Sequence, residues 1–244
     1  MTYCVAMRLR DGMVFASDSR TNAGFDQIST FRKMFLFQQP GERLLVLLSA
    51  GNLATSQSVI SLLEERTHGN GQHLLNVSSM YEAAVLVGNT LREVVSRDTP
   101  ETPTQGQHVD FGCSLILGGQ IAGEQPRLFH LYPEGNFIEA TEETPYFQIG
   151  ESKYGKPIID RILNYDSSLE LAYKTALISF DSTMKSNLSV GMPIDTLTIP
   201  AGKLSDVSIY QVTENDRYLQ QLQAHWTQGI QTLMATLPAR EPAA

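Results

Sequence analysis

Two strand–turn–strand patterns fill the first fifty residues, and they restrict the folds open to this chain more than any other feature. Residues 2–9 and 13–17 are apolar runs separated by the turn signal Arg10-Asp11-Gly12. Residues 31–37 and 43–49 repeat the pattern around a second turn that contains Pro and Gly. Hairpins so early in a chain favour antiparallel sheets over a doubly wound parallel sheet.

The remaining periodicities alternate between helices and strands. In chain order they predict helices at 52–66 and 79–95, strands at 111–118, 127–132 and 136–140, and helices near 158–163 and 169–180. Strands at 195–199 and 207–212 follow. A last helix is predicted from about Asn215, with one apolar face that contains Leu219, Leu222, Trp226, Ile230 and Leu233. The sequence shows no repeat and no long linker, so we expect one layered α+β domain over residues 1–237 and a flexible tail over 238–244.

Composition excludes several classes of function. The chain has 244 residues and a formal net charge of −8, which would repel a nucleic-acid backbone. The apolar runs are too short to span a membrane and the start carries no signal-peptide pattern, so a cytoplasmic location is expected. The only two cysteines, Cys4 and Cys113, form no CxxC pair, and no His spacing matches a metal motif. Neither a metal nor another cofactor is expected.

Thr2 is the most informative candidate for chemistry. Removal of Met1, which is expected when a small side chain follows, would leave a free α-amino group beside the Thr2 hydroxyl. An α-amine with a reference pKa of about 7.7–8.0 is partly neutral near pH 7 and can serve as the base for that hydroxyl. The alternative is an ordinary second residue, since almost any residue can occupy this position.

Asp18 and Lys33 are the charged residues that could assist Thr2. Asp18 ends the first hairpin, where it would face Val5 if the loop is Asp11-Gly12 or Tyr3 if the loop is longer. Lys33 interrupts an apolar strand, so its ammonium needs a partner that Asp18 could supply. The alternatives are a turn residue for Asp18 and an edge-strand lysine that reaches water for Lys33.

Gly51 lies between an apolar strand and the helix that is predicted to begin at Asn52. A backbone N–H at a helix N-terminus is a suitable donor to an oxyanion. The alternative is a glycine required only by the backbone conformation of the corner. Cys4 shares a face of the first strand with Thr2, but no particular His is placed to activate it, so a core cysteine is the better interpretation.

Taken together, TYCVAMRLRDGMVFASDSR at residues 2–20, Lys33, and LLSAGN at residues 47–52 resemble the β subunits of the proteasome, which are N-terminal nucleophile hydrolases. The nearest likeness is to the bacterial ancestral β subunits, in which Thr directly follows the initiator Met. The resemblance implies a four-layer αββα sandwich. It also implies catalytic roles for Thr2, Asp18, Lys33 and Gly51, with Arg20 as a structural arginine.

The later half departs from the family pattern. Residues 149–152, Ile-Gly-Glu-Ser, stand where the family has Gly-Ser-Gly, and residues 186–191 stand where it has Asp-x-x-Ser-Gly. Ser189 keeps its catalytic place, while Ser186 replaces the aspartate and Glu151 replaces the first serine. The network near the terminal amine is therefore altered in this chain.

The resemblance implies a threonine peptidase that acts on peptides or unfolded proteins and assembles with copies of itself into a closed or open ring. Its first specificity pocket would be lined near Thr21, Asn22, Phe31, Ser49 and Leu53. Two alternatives remain, a ring subunit that has lost the reaction and an acylase for a small amide. The sequence does not identify an ATPase partner.

Overall fold

A computed structural model describes residues 2–22, 28–100, 110–205, 207 and 209–240 of the chain. The strands in these residues are β1 Tyr3–Leu9, β2 Gly12–Asp18, β3 Arg20–Asn22, β4 Ile28–Thr30, β5 Met34–Gln39, β6 Arg43–Gly51, β7 Cys113–Ile121, β8 Arg127–Leu131, β9 Phe137–Glu139, β10 Tyr146–Gly150, β11 Ile194–Pro200 and β12 Tyr210–Val212. The helices are α1 Leu53–Arg66, α2 Met80–Asp98, α3 Lys156–Ile162, α4 Leu169–Ser186 and α5 Arg217–Thr236.

Two antiparallel sheets, each of five strands in the described part of the chain, form the centre of the fold. The first sheet has the order β10-β1-β2-β11-β12 and the second has the order β5-β6-β7-β8-β9. Strands β3 and β4 pair separately as a short two-stranded ribbon. Because β1 lies between β2 and β10, the start of the chain is held on both sides.

Three apolar layers separate four layers of secondary structure. Leu47 and Leu117 of the second sheet pack with Val59 and Val87 of α1 and α2. Apolar residues on the facing sides of the two sheets, such as Phe15 of the first sheet and Val46 of the second, form the middle layer. The order is therefore helices, sheet, sheet, helices, which confirms the predicted αββα sandwich.

The third layer joins the first sheet to α3 and α4. Tyr3 and Val5 of β1 pack against Phe180 of α4, and the rings of Tyr3 and Phe180 have centroids 4.5 Å apart. Leu219 of α5 is buried in the same cluster. The alternation of β1 residues between this layer and the middle layer follows from the two-residue period of a strand.

The first hairpin turns one residue earlier than Asp11-Gly12, with a loop of the same length. Leu9 pairs with Gly12, so Arg10 and Asp11 form the two-residue loop and Gly12 begins β2. Cys4 consequently pairs with Ser17, which brings Asp18 beside Tyr3 rather than Val5.

Some boundaries and elements differ from the sequence prediction. The strand predicted from Phe31 begins at Met34, where residue pairing with β6 starts; Lys33 keeps one hydrogen bond to β6, from the Ser49 N–H. Strands β3, β4 and β10 were not predicted, since they are short and lack a clear alternation of apolar residues. The last helix is confirmed and ends at Thr236. The domain boundary at residue 237 and the flexible tail stay predictions, and residues 241–244 lie outside the described residues.

Candidate active site

The peptide unit between Thr2 and Tyr3 is held from both sides. The Thr2 carbonyl accepts a hydrogen bond from the Glu151 N–H at 2.7 Å. The Tyr3 N–H donates to Asp18 Oδ1 at 2.9 Å. Thr2 itself is partly buried and precedes β1 directly. The backbone of the candidate nucleophile therefore has a fixed position even though its residue lies outside the sheet.

Gly150 allows the end of β10 to approach Thr2 closely. Its φ is +82°, and a Cβ added there would lie 1.9 Å from the Thr2 carbonyl oxygen. An L side chain would meet both a strained backbone conformation and a steric clash. A glycine at this position is therefore required for the contact between Glu151 and Thr2.

Asp18 and Lys33 form a buried ion pair beside this peptide unit. Lys33 Nζ lies 2.8 Å from Asp18 Oδ1, and the side chains are 5% and 0% exposed. The ammonium also donates to the Arg20 carbonyl oxygen at 2.6 Å. Lys33 is thus not an edge-strand lysine that reaches water, and Asp18 is a buried acceptor at the end of β2 rather than an exposed turn residue.

The Asp18 carboxylate is subject to opposing electrostatic effects. Burial raises the pKa of Asp18 above its ordinary value, while the Lys33 charge and the hydrogen bonds from Lys33 and Tyr3 oppose that shift. Within the described part of the chain, Asp18 Oδ2 is buried and accepts no hydrogen bond. The Gly191 N–H lies close enough to the carboxylate to lower the pKa of Asp18 as well, but no donor among these residues reaches Oδ2 with hydrogen-bond geometry.

Gly51 presents its N–H on the side of the second sheet where Lys33 lies. The Ser49 N–H donates to the Lys33 carbonyl oxygen at 3.0 Å, and N–H groups two residues apart in a strand point the same way. The next residue, Asn52, instead donates its N–H across to Gly112 on the β7 side. Because β5 begins only at Met34, the Gly51 N–H extends past the end of β5.

The backbone at Gly51 also requires glycine. Its φ is +119°, and an added Cβ would lie 2.7 Å from the Gly112 carbonyl oxygen. Asn52 then caps α1, with its side chain accepting from the Thr55 N–H at 3.1 Å. The conformational explanation and the donor explanation for Gly51 are therefore both compatible with this corner.

A polar network made by Glu151, Asn187 and Ser189 lies on the other side of Thr2. Asn187 Nδ2 donates to Glu151 Oε2 at 2.6 Å, and Ser189 Oγ donates to Asn187 Oδ1 at 2.5 Å. Glu151 in turn reaches the Thr2 carbonyl through its backbone N–H. The structure thus connects Ser189 and Glu151 to Thr2. Ser186, in contrast, is an exposed residue at the end of α4, and the residue that contacts Glu151 is Asn187.

Arg20 holds the loop that carries Ser189. Its Nη1 donates to the Leu188 carbonyl oxygen at 3.0 Å. A Cβ at Gly191 would lie 2.2 Å from Arg20 Cζ, so the guanidinium rests directly on that glycine. These contacts agree with a structural role for Arg20.

The residues proposed for the substrate pocket lie on segments that adjoin Lys33 and Gly51. Thr21 and Asn22 belong to β3, and Ser49 is buried in β6. Phe31 is partly buried and donates its N–H to the Ser19 carbonyl oxygen, and Leu53 is the first residue of α1. Their joint function as a pocket stays a prediction.

Cys4 is a core residue. It is fully buried between the two sheets, and burial raises the pKa of its thiol well above the ordinary value.

Among the residues that the structure describes, no group of three His, Cys, Asp or Glu side chains is arranged to hold a metal ion. No helix in this part of the chain is both long enough and apolar enough to cross a membrane.

Comparison with known proteins identifies the family. The model of the family described as proteasome subunit matches residues 2–199, which is most of the chain. The chain belongs to the proteasome subunit family. The resemblance seen in residues 2–20, Lys33 and residues 47–52 is therefore confirmed.

Relatives of this proteasome subunit include both archaeal and bacterial proteins. It is 25% identical over 200 residues to the proteasome subunit beta 2 of Pyrobaculum neutrophilum, covering 81% of this chain and 88% of that protein. Among solved structures, Anbu (ancestral beta-subunit) from Yersinia bercovieri is 57% identical with a TM-score of 0.93, covering 99% of this chain and 100% of that chain. A structure described as the helical assembly of the Anbu complex from Pseudomonas aeruginosa is 54% identical with a TM-score of 0.93, covering 98% of each chain.

Sequence reasoning missed two residues of the site in this proteasome subunit. Gly150 was matched to the first glycine of the family's Gly-Ser-Gly but given no role, since its partner is the distant Thr2 carbonyl. Asn187 follows the position that the family assigns to an aspartate, and a shift of one residue at the end of a helix is not visible in the sequence. Both signals depend on tertiary contacts rather than on local pattern.

Proposed function

We propose that this proteasome subunit is a threonine peptidase with Thr2 as its nucleophile. After removal of Met1, the Thr2 α-amine accepts the hydroxyl proton through a water molecule while Oγ attacks the scissile carbonyl carbon. The Gly51 N–H stabilises the tetrahedral oxyanion. The amine then returns the proton to the leaving nitrogen, the C–N bond breaks, and water hydrolyses the resulting ester to release the second product.

One observation carries this proposal, namely that the Thr2–Tyr3 peptide unit is bonded directly to the buried Asp18–Lys33 pair. A buried ion pair costs desolvation and is weak evidence for stability by itself. Its hydrogen bond to the peptide unit that directly follows Thr2 supports a role in chemistry. A positive Lys33 near the α-amine disfavours protonation of that amine and helps to keep it available as a base.

The altered network beside Thr2 bears on the alternative of a ring subunit without activity. Glu151 and Asn187 are hydrogen-bonded to each other and to Ser189, so the departures from the family pattern still form a connected set of polar groups. This supports an active subunit in which a carboxylate and an amide replace the family's serine and aspartate.

Substitution of the nucleophile tests the proposal. We expect Thr2→Ala to lower kcat/KM for peptide cleavage by about 10³-fold or more, because the attacking hydroxyl is removed. The matched control is Thr2→Ser, which keeps a hydroxyl and should keep most of the rate. Intact-protein mass spectrometry establishes whether Met1 is absent. Peptide cleavage that persists in Thr2→Ala, or a purified protein that retains Met1 and still cleaves, would contradict the proposal.

A substrate panel separates a peptidase from an acylase. We expect cleavage of fluorogenic peptides and of unfolded proteins, and little hydrolysis of small amides.

We also propose that the chain acts in the cytoplasm as a homo-oligomer, in a ring-like or open-ring assembly, since a structure 54% identical to it is described as a helical assembly. Sedimentation of the purified protein tests the assembly independently of activity.

A further inference from the structure

An apolar stripe runs along α5; its first residue, Leu222, packs against the core cluster that contains α4, and the stripe becomes exposed in the second half of the helix. Leu222, Trp226, Ile230, Leu233 and Leu237 follow one another at intervals of three or four residues, which places them on one helix face. Ile230 is 41% exposed, Leu233 is 59% exposed and Leu237 is 52% exposed. We call these five residues the α5 stripe. Such a stripe on a helix normally packs against another element.

Only the beginning of α5 is attached to the rest of the subunit. Leu219 is buried against α4, and Gln223 Nε2 donates to Asp181 Oδ1 of α4 at 2.7 Å. In the described part of the chain, the side-chain hydrogen bonds of residues 225–236 all end on carbonyl groups of the same helix. A helix gains most of its stability from packing of its apolar face, so this half lacks the contact that would stabilise it.

The charge of the chain indicates what covers the α5 stripe. The whole chain has a net charge of −8, yet residues 218–239 contain no Asp, Glu, Lys or Arg. Two copies of an acidic protein repel each other over most of their surfaces, and this uncharged helix is a place where they can approach without that repulsion. An acidic or basic partner would find no complementary charge on it.

Gly229 lies beside the stripe in the middle of the exposed half. A glycine inside a helix costs about 1 kcal/mol relative to alanine, and no heavy atom of this subunit lies within 4 Å of a Cβ added there. Its small size is therefore not required by any contact inside the subunit. A small residue beside an apolar stripe lets a second helix approach closely.

We propose that the α5 stripe pairs with the α5 stripe of a second copy of this chain, antiparallel about a two-fold axis near Gly229 and Ile230. An interface of this kind is self-complementary, because each copy presents the same residues to the other. The proposal rests on the homo-oligomer of the proposed function and names the surface that joins two of its copies. It does not depend on peptidase activity.

Charge placed in the stripe tests the pairing. We expect Ile230→Glu combined with Leu233→Glu to reduce the particle mass in sedimentation or light scattering to about half, because paired copies separate. Gln228→Glu combined with Gln231→Glu is the matched control, since both exposed residues lie on the face of α5 opposite the stripe and Gly229 and add the same charge at the same spacing. A stripe variant that assembles like the wild type would refute the pairing, whereas a wild-type protein that is monomeric would refute the assembly itself.

Cysteine cross-linking gives a second measurement that does not require disruption. The native Cys4 and Cys113 are 0% and 1% exposed, so neither can form an intermolecular disulfide in the folded protein. We expect Ile230→Cys to form a covalent dimer under mild oxidation, because residue 230 faces its own copy across the axis. Gln228→Cys should form little dimer. Equal dimer yields from the two variants would refute the proposed axis.

Discussion

The two sides of Thr2 are built differently. On one side, Asp18 and Lys33 form an ion pair that is almost fully buried and bonded to the Tyr3 N–H. On the other side, Glu151 and Asn187 form a network that remains partly open to solvent and touches the Thr2 carbonyl only through a backbone N–H. The first side fixes charge near Thr2, the candidate nucleophile, and the second side fixes its backbone.

The difference also lies in sequence distance. Tyr3 and Asp18 are 15 residues apart, as are Asp18 and Lys33, so a hairpin and the following ribbon bring them together. Glu151 joins Thr2 only after β10 has paired with β1 at the far end of the sheet order. Local contacts can be predicted from a turn, whereas the second side depends on the completed sheet.

The largest effect should come from breaking the buried ion pair. We expect Lys33→Met to lower the free energy of unfolding by about 3–5 kcal/mol, because the Asp18 carboxylate is left buried without its partner charge. Chemical denaturation measures this change. Peptide cleavage should fall to background in the same variant if Lys33 also assists Thr2.

The double variant Asp18→Asn with Lys33→Met separates stability from catalysis. It removes both charges, so most of the unfolding free energy should return while cleavage stays low. Recovery of cleavage together with stability would show that the first side is only structural, and the contrast between the two sides would then disappear.

An intermediate effect is expected at Gly150. Gly150→Ala should displace the Thr2 backbone and lower kcat about 10²-fold, because a misplacement near 1 Å in a catalytic group has that cost. Gly202→Ala is the matched control, since Gly202 has a similar φ of +76° and an added Cβ would contact nothing within 4 Å. Equal rates in the two alanine variants would mean that the second side does not position Thr2.

The smallest effect concerns the charge of Glu151. The Glu151 charge should favour the ammonium form of a free Thr2 amine, so we expect the acid limb of the pH–rate profile to lie at higher pH than it would without this charge. We expect Glu151→Gln to move this limb to lower pH by less than about one unit, while its backbone N–H keeps the Thr2 contact.

Lys153 provides the opposite control for the Glu151 prediction. Its Nζ lies 3.6 Å from Glu151 Oε2 and its side chain is 66% exposed. Lys153→Gln removes a positive charge near the same site, so the acid limb should move slightly to higher pH. If the acid limb moved in the same direction in Glu151→Gln and in Lys153→Gln, an electrostatic origin of the two shifts would be contradicted.

Much of this architecture could be predicted from the sequence. Alternating apolar runs and helical stripes predicted the order of elements, and the resemblance in the first 52 residues predicted the αββα sandwich and the side of Thr2 that contains Asp18 and Lys33. β10 was missed because its five residues show no decisive alternation, and with it the Gly150 contact was missed. Ser186 was matched to the family's aspartate by its spacing from Ser189, whereas the structure brings the next residue, Asn187, to Glu151 through a tertiary contact that spacing does not reveal.

The close approach of Gly150 to Thr2 has a consequence for the newly made protein. During synthesis the first hairpin leaves the ribosome long before residue 150 exists, so at that stage the Thr2 carbonyl has no partner. The final placement of Thr2 must wait until more than half of the polypeptide has been translated and β10 has joined β1. A growing chain therefore carries an immature candidate site, and the order of translation delays its completion until β10 has been made.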